Sequence, residues 1–127
     1  MIIAGVDEAG RGSVLGPLFV AGVSIDEKDA KRLQELGVKD SKLLSPEKRV
    51  KLYREIRKAA KKVSWERIEP KRIDDYVIQG TRLLRLNYLE ALYMARVLSK
   101  LDFDRAYVDC CDTIEKRYGN LVADLLF

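Results

Sequence analysis

An α/β fold built on a mixed sheet is the architecture that this 127-residue sequence predicts. Three observations lead there. Four short apolar runs, rich in β-branched residues, lie at Ile2–Val6, Leu18–Ile25, Val63–Ile68 and Ala106–Val108, with stretches of helical spacing between most of them. The link between the first two runs is short and glycine-rich, with Gly10, Gly12, Gly16 and Pro17, which favours antiparallel neighbours. A helical stretch precedes the fourth run, so a crossover can bring that run parallel and adjacent to the first.

Taken in order, the first run is continuous enough to read as a strand buried on both faces, and it ends at Asp7-Glu8. The second is rich in valine. Glu27 to Leu36 has the pattern of a short helix stopped by Gly37. After a polar loop, Ser45-Pro46 supplies an N-cap followed by proline at the first helical position. The helix that follows is expected to reach about Lys61, with Val50, Tyr53, Ile56 and Ala60 on one apolar stripe. Val63 to Ile68 gives a third strand, and Pro70 to Gln79 a short helix broken by Gly80. Asn87-Tyr88-Leu89-Glu90 resembles a capping box, and the helix after it points Leu89, Tyr93 and Val97 at a core. Thr113 to Phe127 is helical in pattern. Its last turn, Leu125-Leu126-Phe127, needs something to pack on: the helix folds back onto the core, or more chain belongs beyond it.

Composition bounds the function. Hydrophobic residues make up 47% and charged residues 35%, a globular balance in a single domain. No apolar run approaches the roughly 20 residues that cross a bilayer. Met1-Ile2-Ile3-Ala4 leads directly to acidic Asp7 and Glu8, unlike a secretory leader, so a cytoplasmic protein is expected. A net charge of +4 permits a polyanionic partner without demanding one. Lys and Arg are dense from Lys48 to Arg72, which reads either as a solvated helix face or as a nucleic-acid surface. Asn and Gln number two each among many Lys, Arg and Glu, a lean toward a thermophile. Cys110 and Cys111 are adjacent, a strained arrangement for a bridge, and they fit two buried small hydrophobes better. Histidine is absent, which excludes Ser-His-Asp and Cys-His catalysis.

The remaining chemistry belongs to carboxylates. Asp7 and Glu8 close the first apolar run, and Asp109 closes the fourth. Ligands of open α/β sheets bind at the carboxyl ends of strands. Carboxylates converging there repel one another unless a cation neutralises them, and hard divalent ions prefer oxygen ligands. A pair of such ions can hydrolyse a phosphodiester without histidine. Each residue also has a plainer reading: Asp7-Glu8 as a turn, Asp109 or Asp112 as a helix cap, Gly10-Arg11-Gly12 as a tight turn.

Together the segments are more specific. Val6-Asp7-Glu8-Ala9-Gly10-Arg11-Gly12, followed by Gly16-Pro17-Leu18, closely resembles the N-terminal signature of the ribonuclease HII family. Lys39-Asp40-Ser41-Lys42-Leu43, Leu86-Asn87-Tyr88-Leu89-Glu90 and Tyr107-Val108-Asp109 are similar to three further family segments, in the same order. The resemblance implies an RNase H-like fold, a mixed sheet flanked by helices. Asp7, Glu8 and Asp109 match three of four metal-binding carboxylates, for Mg²⁺ or Mn²⁺. Gly10, Arg11 and Gly12 match a turn that contacts the 2′-hydroxyl side of an RNA–DNA junction, where only RNA offers that group. Ser41 and Lys42 match a loop on the nucleic-acid backbone. The implied activity is two-metal hydrolysis of RNA in RNA–DNA hybrids and at single ribonucleotides embedded in duplex DNA.

Two departures stand out. Ser13 replaces a usual proline. The family also continues well past residue 127, with another strand and the fourth metal-binding Asp, so the chain is expected to be a C-terminally truncated domain of reduced or absent activity. A non-catalytic hybrid-binding module is the alternative. Association with another copy or a partner through apolar C-terminal surface is a third expectation.

Overall fold

The computed structural model describes residues 1–9, 17–39, 43–72, 82–108 and 115–126. Four strands form one mixed sheet: β1 (Ile2–Ala9), β2 (Leu18–Asp26), β3 (Lys62–Ile68) and β4 (Arg105–Val108), in the order β3-β2-β1-β4. β1 is antiparallel to β2, with Ile2 opposite Asp26 and Ala9 opposite Phe19. β2 is antiparallel to β3, and β1 is parallel to β4. The antiparallel first pair and the parallel crossover are therefore both as the sequence predicts.

β1 differs from expectation in two ways. Its pairing runs through Asp7 and Glu8 to Ala9, so the acidic pair lies inside the strand and not after it. It is also buried on one face only: Ala4 and Val6 are in the core while Gly5 and Asp7 are exposed. Alternate residues of a strand point to opposite faces, and the register extends this division across the sheet. Ala4, Val6, Glu8, Leu18, Val20, Ser64 and Ile68 share the face on which the core is built. Asp7, Phe19, Trp65 and Tyr107 share the other, where Phe19, Trp65 and Tyr107 are exposed and Arg67 lies 5.7 Å over the Phe19 ring.

Four helices, besides the helical residues 70–72, complete the described structure. α1 (Glu27–Glu35) is capped by the Asp26 carboxylate, which accepts from the Lys28 amide. At its other end the amides of Gly37 and Val38 donate to the carbonyls of Gln34 and Leu33, with Gly37 at φ 103°, where a side chain would be strained. α2 (Pro46–Ala59) begins as predicted, with Ser45 Oγ accepting from the Lys48 amide at 3.2 Å. Its predicted core stripe is misplaced: Val50 and Tyr53 are 54% and 60% exposed, and Leu52 is the buried residue. α3 (Arg82–Ser99) is already helical at Arg82, so Asn87 lies inside the helix and not at its N-cap position. Leu89, Tyr93 and Val97 are buried as predicted. α4 (Glu115–Leu126) packs on α3 through Val122, with Leu121, Leu125 and Leu126 half-buried against the same core. Those leucines of the last turn thus fold back onto the core. Of the helix expected over Pro70 to Gln79, residues 70–72 are helical, and the rest, with Gly80, lies outside the described residues, as do Cys110, Cys111 and Asp112.

α3 crosses the sheet at Gly22, where an added Cβ would meet Val97 Cγ1 at 2.7 Å and Leu101 Cδ1 at 3.1 Å. The turn after α3 then returns to the start of β1: the Asp104 amide donates to the Ile2 carbonyl at 2.8 Å, and the Ile2 amide donates to Asp104 Oδ2 at 2.9 Å. These bonds fix the entry of β4 beside β1.

Candidate metal centre

Asp7 and Glu8 are held by strand pairing on the β2 side, opposite Ala21 and Val20. On the other side, the described pairing of β1 with β4 ends at Val6 opposite Val108. Val108 directly precedes Asp109 in the sequence, as Val6 precedes Asp7. Asp109 itself lies outside the described residues, and so do Gly10, Arg11, Gly12, Ser41 and Lys42.

The two described carboxylates leave β1 on opposite faces, since they are consecutive in a strand. Asp7 is exposed, and its Oδ1 accepts from the Glu8 amide at 2.7 Å, which turns that carboxylate along the strand. Glu8 is half-buried on the helix-covered face, with Oε2 shielded from solvent. β1 alone therefore does not bring both groups to one point. Among the described residues no group of three or more His, Cys, Asp or Glu is arranged to hold a metal ion. In donor type the pair fits a hard divalent cation, because both are carboxylates and one carries an oxygen already removed from water.

The α2 lysines and arginines from Lys48 to Lys58 lie on the exposed side of the helix. A compact network sits at the β3 edge: Lys100 Nζ and Arg96 Nη2 donate to Glu66 Oε1 at 2.7 and 3.3 Å. The hydrogen bond from Lys100, then the nearby Arg96 charge, hold the Glu66 carboxyl below the ordinary glutamate range. Arg96 and Arg72 also lie 4.8 and 5.6 Å from the Tyr93 ring centre.

One acidic residue was given no functional part by sequence reasoning. Glu90, read there as part of a capping box, is 0% exposed. The available signal was its place between Leu89 and Ala91 on a helix that is apolar toward the sheet. An ionisable group in that setting is rare without a specific reason.

Comparison with known proteins adds family evidence to this geometry. The family description Ribonuclease HII matches residues 4–124. The chain belongs to the ribonuclease HII family. It is 43% identical to a ribonuclease HII of Cenarchaeum symbiosum over 98% of its own length and 59% of that relative's. Among solved structures it is similar to ribonuclease H2 from Pyrococcus horikoshii OT3, with a TM-score of 0.84 and 38% identity over 99% of this chain and 58% of that one. It is also similar to the RNase HII in a PCNA:RNase HII complex from Archaeoglobus fulgidus, with a TM-score of 0.80 and 36% identity over 99% and 59%. The chain thus spans a little under three fifths of the length of these ribonuclease HII relatives. No helix among the described residues is long and apolar enough to cross a membrane.

Proposed function

We propose that this chain carries part of the catalytic centre of a type 2 ribonuclease H, an endonuclease that hydrolyses RNA in RNA–DNA hybrids and at single ribonucleotides embedded in duplex DNA. The observation that carries this reading is the parallel pairing of β1 with β4, in which Val6 stands opposite Val108. It places the strand of Asp7 and Glu8 beside the strand that leads to Asp109.

In this reading Asp7, Glu8 and Asp109 hold Mg²⁺ or Mn²⁺, with two ions in the working enzyme. Such an ion, when bound, supplies Lewis-acid polarisation of the phosphodiester and lowers the pKa of water. Gly10, Arg11 and Gly12 approach the sugar–phosphate backbone, with backbone amides and the Arg11 charge as donors. The same turn reads the 2′-hydroxyl, which is the basis of RNA selection. Ser41 and Lys42 contact the nucleic-acid backbone. The cytoplasm is the compartment this activity implies. The partly exposed Leu121, Leu125 and Leu126 would make the contact in any association through α4, which light scattering over a concentration series tests.

The test is cleavage of two substrates by the full-length protein, a hybrid duplex and a DNA duplex with one ribonucleotide. Metal-dependent cuts on the RNA-containing strand, lost in Asp7→Asn, are expected. Binding of hybrid that persists in EDTA, with no cleavage in Mg²⁺ or Mn²⁺, would instead identify a non-catalytic binding module.

A further inference from the structure

Charge on α2 is one-sided in a way that charge on the neighbouring α1 is not. From Lys48 to Lys62 there are eight lysines and arginines and one carboxylate, Glu55, while the whole chain is only +4, so the remainder is net acidic. All eight cations are exposed, and among the described residues only Lys58 of them has an ion-pair partner, Glu55 at 3.7 Å. α1 mixes three carboxylates with three cations over its nine residues, and pairs Asp29 with Arg32 at 3.2 Å. A helix face that only needs water gains from such mixing, because like charges three or four residues apart repel. Lys51, Arg54, Arg57 and Lys58 have that spacing on the side of α2 away from buried Leu52. Clustered cations that the fold itself leaves unmatched fit a polyanion, whose condensed counterions they release on contact.

α2 is also within reach of Asp7. Ile25 shares a sheet face with Asp7, because it is four residues along β2 from Ala21, the partner of Asp7. Ile25 is buried, yet it is not part of the core beneath α3. α1 packs on β2 and on α2, so this helix pair lies on the Asp7 side of the sheet, at the end where β1 starts. The Lys61 amide donates to the Ser24 carbonyl at 2.8 Å, and Ser24 stands opposite Lys62 in β3 and Ala4 in β1. Three residues along β1 and two strand spacings across the sheet put the end of α2 roughly 15 Å from the Asp7 backbone. One turn of duplex is about 35 Å long, so a single duplex spans both places.

We propose that the outward face of α2 docks on the phosphate backbone of the duplex to one side of the cleavage site. It adds affinity and takes no part in the chemistry. The inference rests on the ribonuclease reading above.

The experiment uses the full-length protein and a labelled DNA duplex of about 30 base pairs, roughly three turns, with one central ribonucleotide. Binding is followed by fluorescence anisotropy in EDTA over a series of salt concentrations, and cleavage is measured in Mg²⁺. Wild type is compared with Lys51→Gln/Arg54→Gln/Arg57→Gln and with the charge-keeping Lys51→Arg/Arg54→Lys/Arg57→Lys. A third variant, Lys28→Gln/Lys31→Gln/Arg32→Gln, removes the same charge from α1. The α2 glutamine variant is expected to bind roughly tenfold more weakly or worse at about 0.1 M salt, with the slope of log affinity against log salt reduced by about 2–3. Its KM rises while kcat holds. The charge-keeping variant stays near wild type, and the α1 variant loses much less. Equal losses from the α1 and α2 variants would reveal an effect of net charge alone, and an unchanged slope would reveal a solvated face. Either result overturns the inference, as does a loss confined to binding of phosphatidylserine vesicles, which marks a membrane surface. In each of these cases cleavage by wild type leaves the ribonuclease reading standing. If wild type neither binds nor cuts the duplex, that reading falls and this inference with it.

Discussion

Val6 and Val108 stand opposite each other in the parallel pairing of β1 and β4. They come from distant parts of the chain, and each is followed by an aspartate, Asp7 and Asp109. The pairing depends on what α3 does: the helix must pack closely enough on the sheet to deliver β4 to the free edge of β1. Stability at that crossing is thus a condition of assembling the site.

Gly22 is a point of close approach between α3 and the sheet. Gly22→Ala drives a methyl to 2.7 Å from Val97 Cγ1, so either the helix shifts or Val97 leaves its rotamer. A loss of about 1–3 kcal/mol is expected in urea denaturation. Val97→Ala in the same chain removes the clashing methyl, and the double variant is expected to lose less than the sum of the two single changes.

Leu98 is 1% exposed in the core between α3 and the sheet. Leu98→Ala leaves a cavity and is expected to cost about 2–5 kcal/mol. Leu52→Ala in α2 probes burial in the separate α1–α2 region. Urea melts followed by circular dichroism compare the two losses.

Ser45 caps α2 by accepting from the Lys48 amide. Ser45→Ala leaves that donor to water and is expected to cost about 1 kcal/mol. Ser45→Asp retains an acceptor at the same place and is expected to keep most of the stability. Thermal melts of the three proteins in one buffer check this.

Glu66 gives a pH signature. Its carboxyl is held below the ordinary glutamate value of 4.5, first by the hydrogen bond from Lys100. A lowered carboxylate pKa adds stability that is present above the ordinary value and is lost as pH falls through the folded value. Wild type should therefore exceed Glu66→Gln in stability at neutral pH, and the gap should close as pH falls below about 4.5. High salt should shrink the gap at neutral pH as well, because Arg96 and Lys100 are about half exposed.

The strands were legible because their residues are β-branched and apolar, and because glycine and proline mark their ends. Pairing direction was legible from link length: a short glycine-rich link before Leu18, a helix before Arg105. The misreadings have physical causes. Asn87 matches a capping signature, but Leu83, Leu84 and Leu86 upstream are strong helix formers, and the helix extends back through them. In α2, period 3.6 fits a stripe through Val50 and Tyr53 as readily as one through Leu52, and only tertiary packing chooses Leu52. Acidic Asp7 and Glu8 look like a strand end, yet pairing to Ala21 and Val20 of β2 carries β1 through them. The burial of Glu90 was hidden because a glutamate on a helix is usually solvated. Its burial comes from the way α3 lies on the sheet.

A catalytic centre here requires residues from β1 and from the end of β4 to share one cation. The most direct measurement is anomalous scattering at the manganese absorption edge from crystals of the full-length protein soaked in Mn²⁺. The expected result is an anomalous peak within coordination distance, about 2.0–2.3 Å, of carboxylate oxygens from both residue 7 and residue 109. Well-ordered side chains at both positions with no peak between them, or pointing to different sides of the sheet, would contradict it.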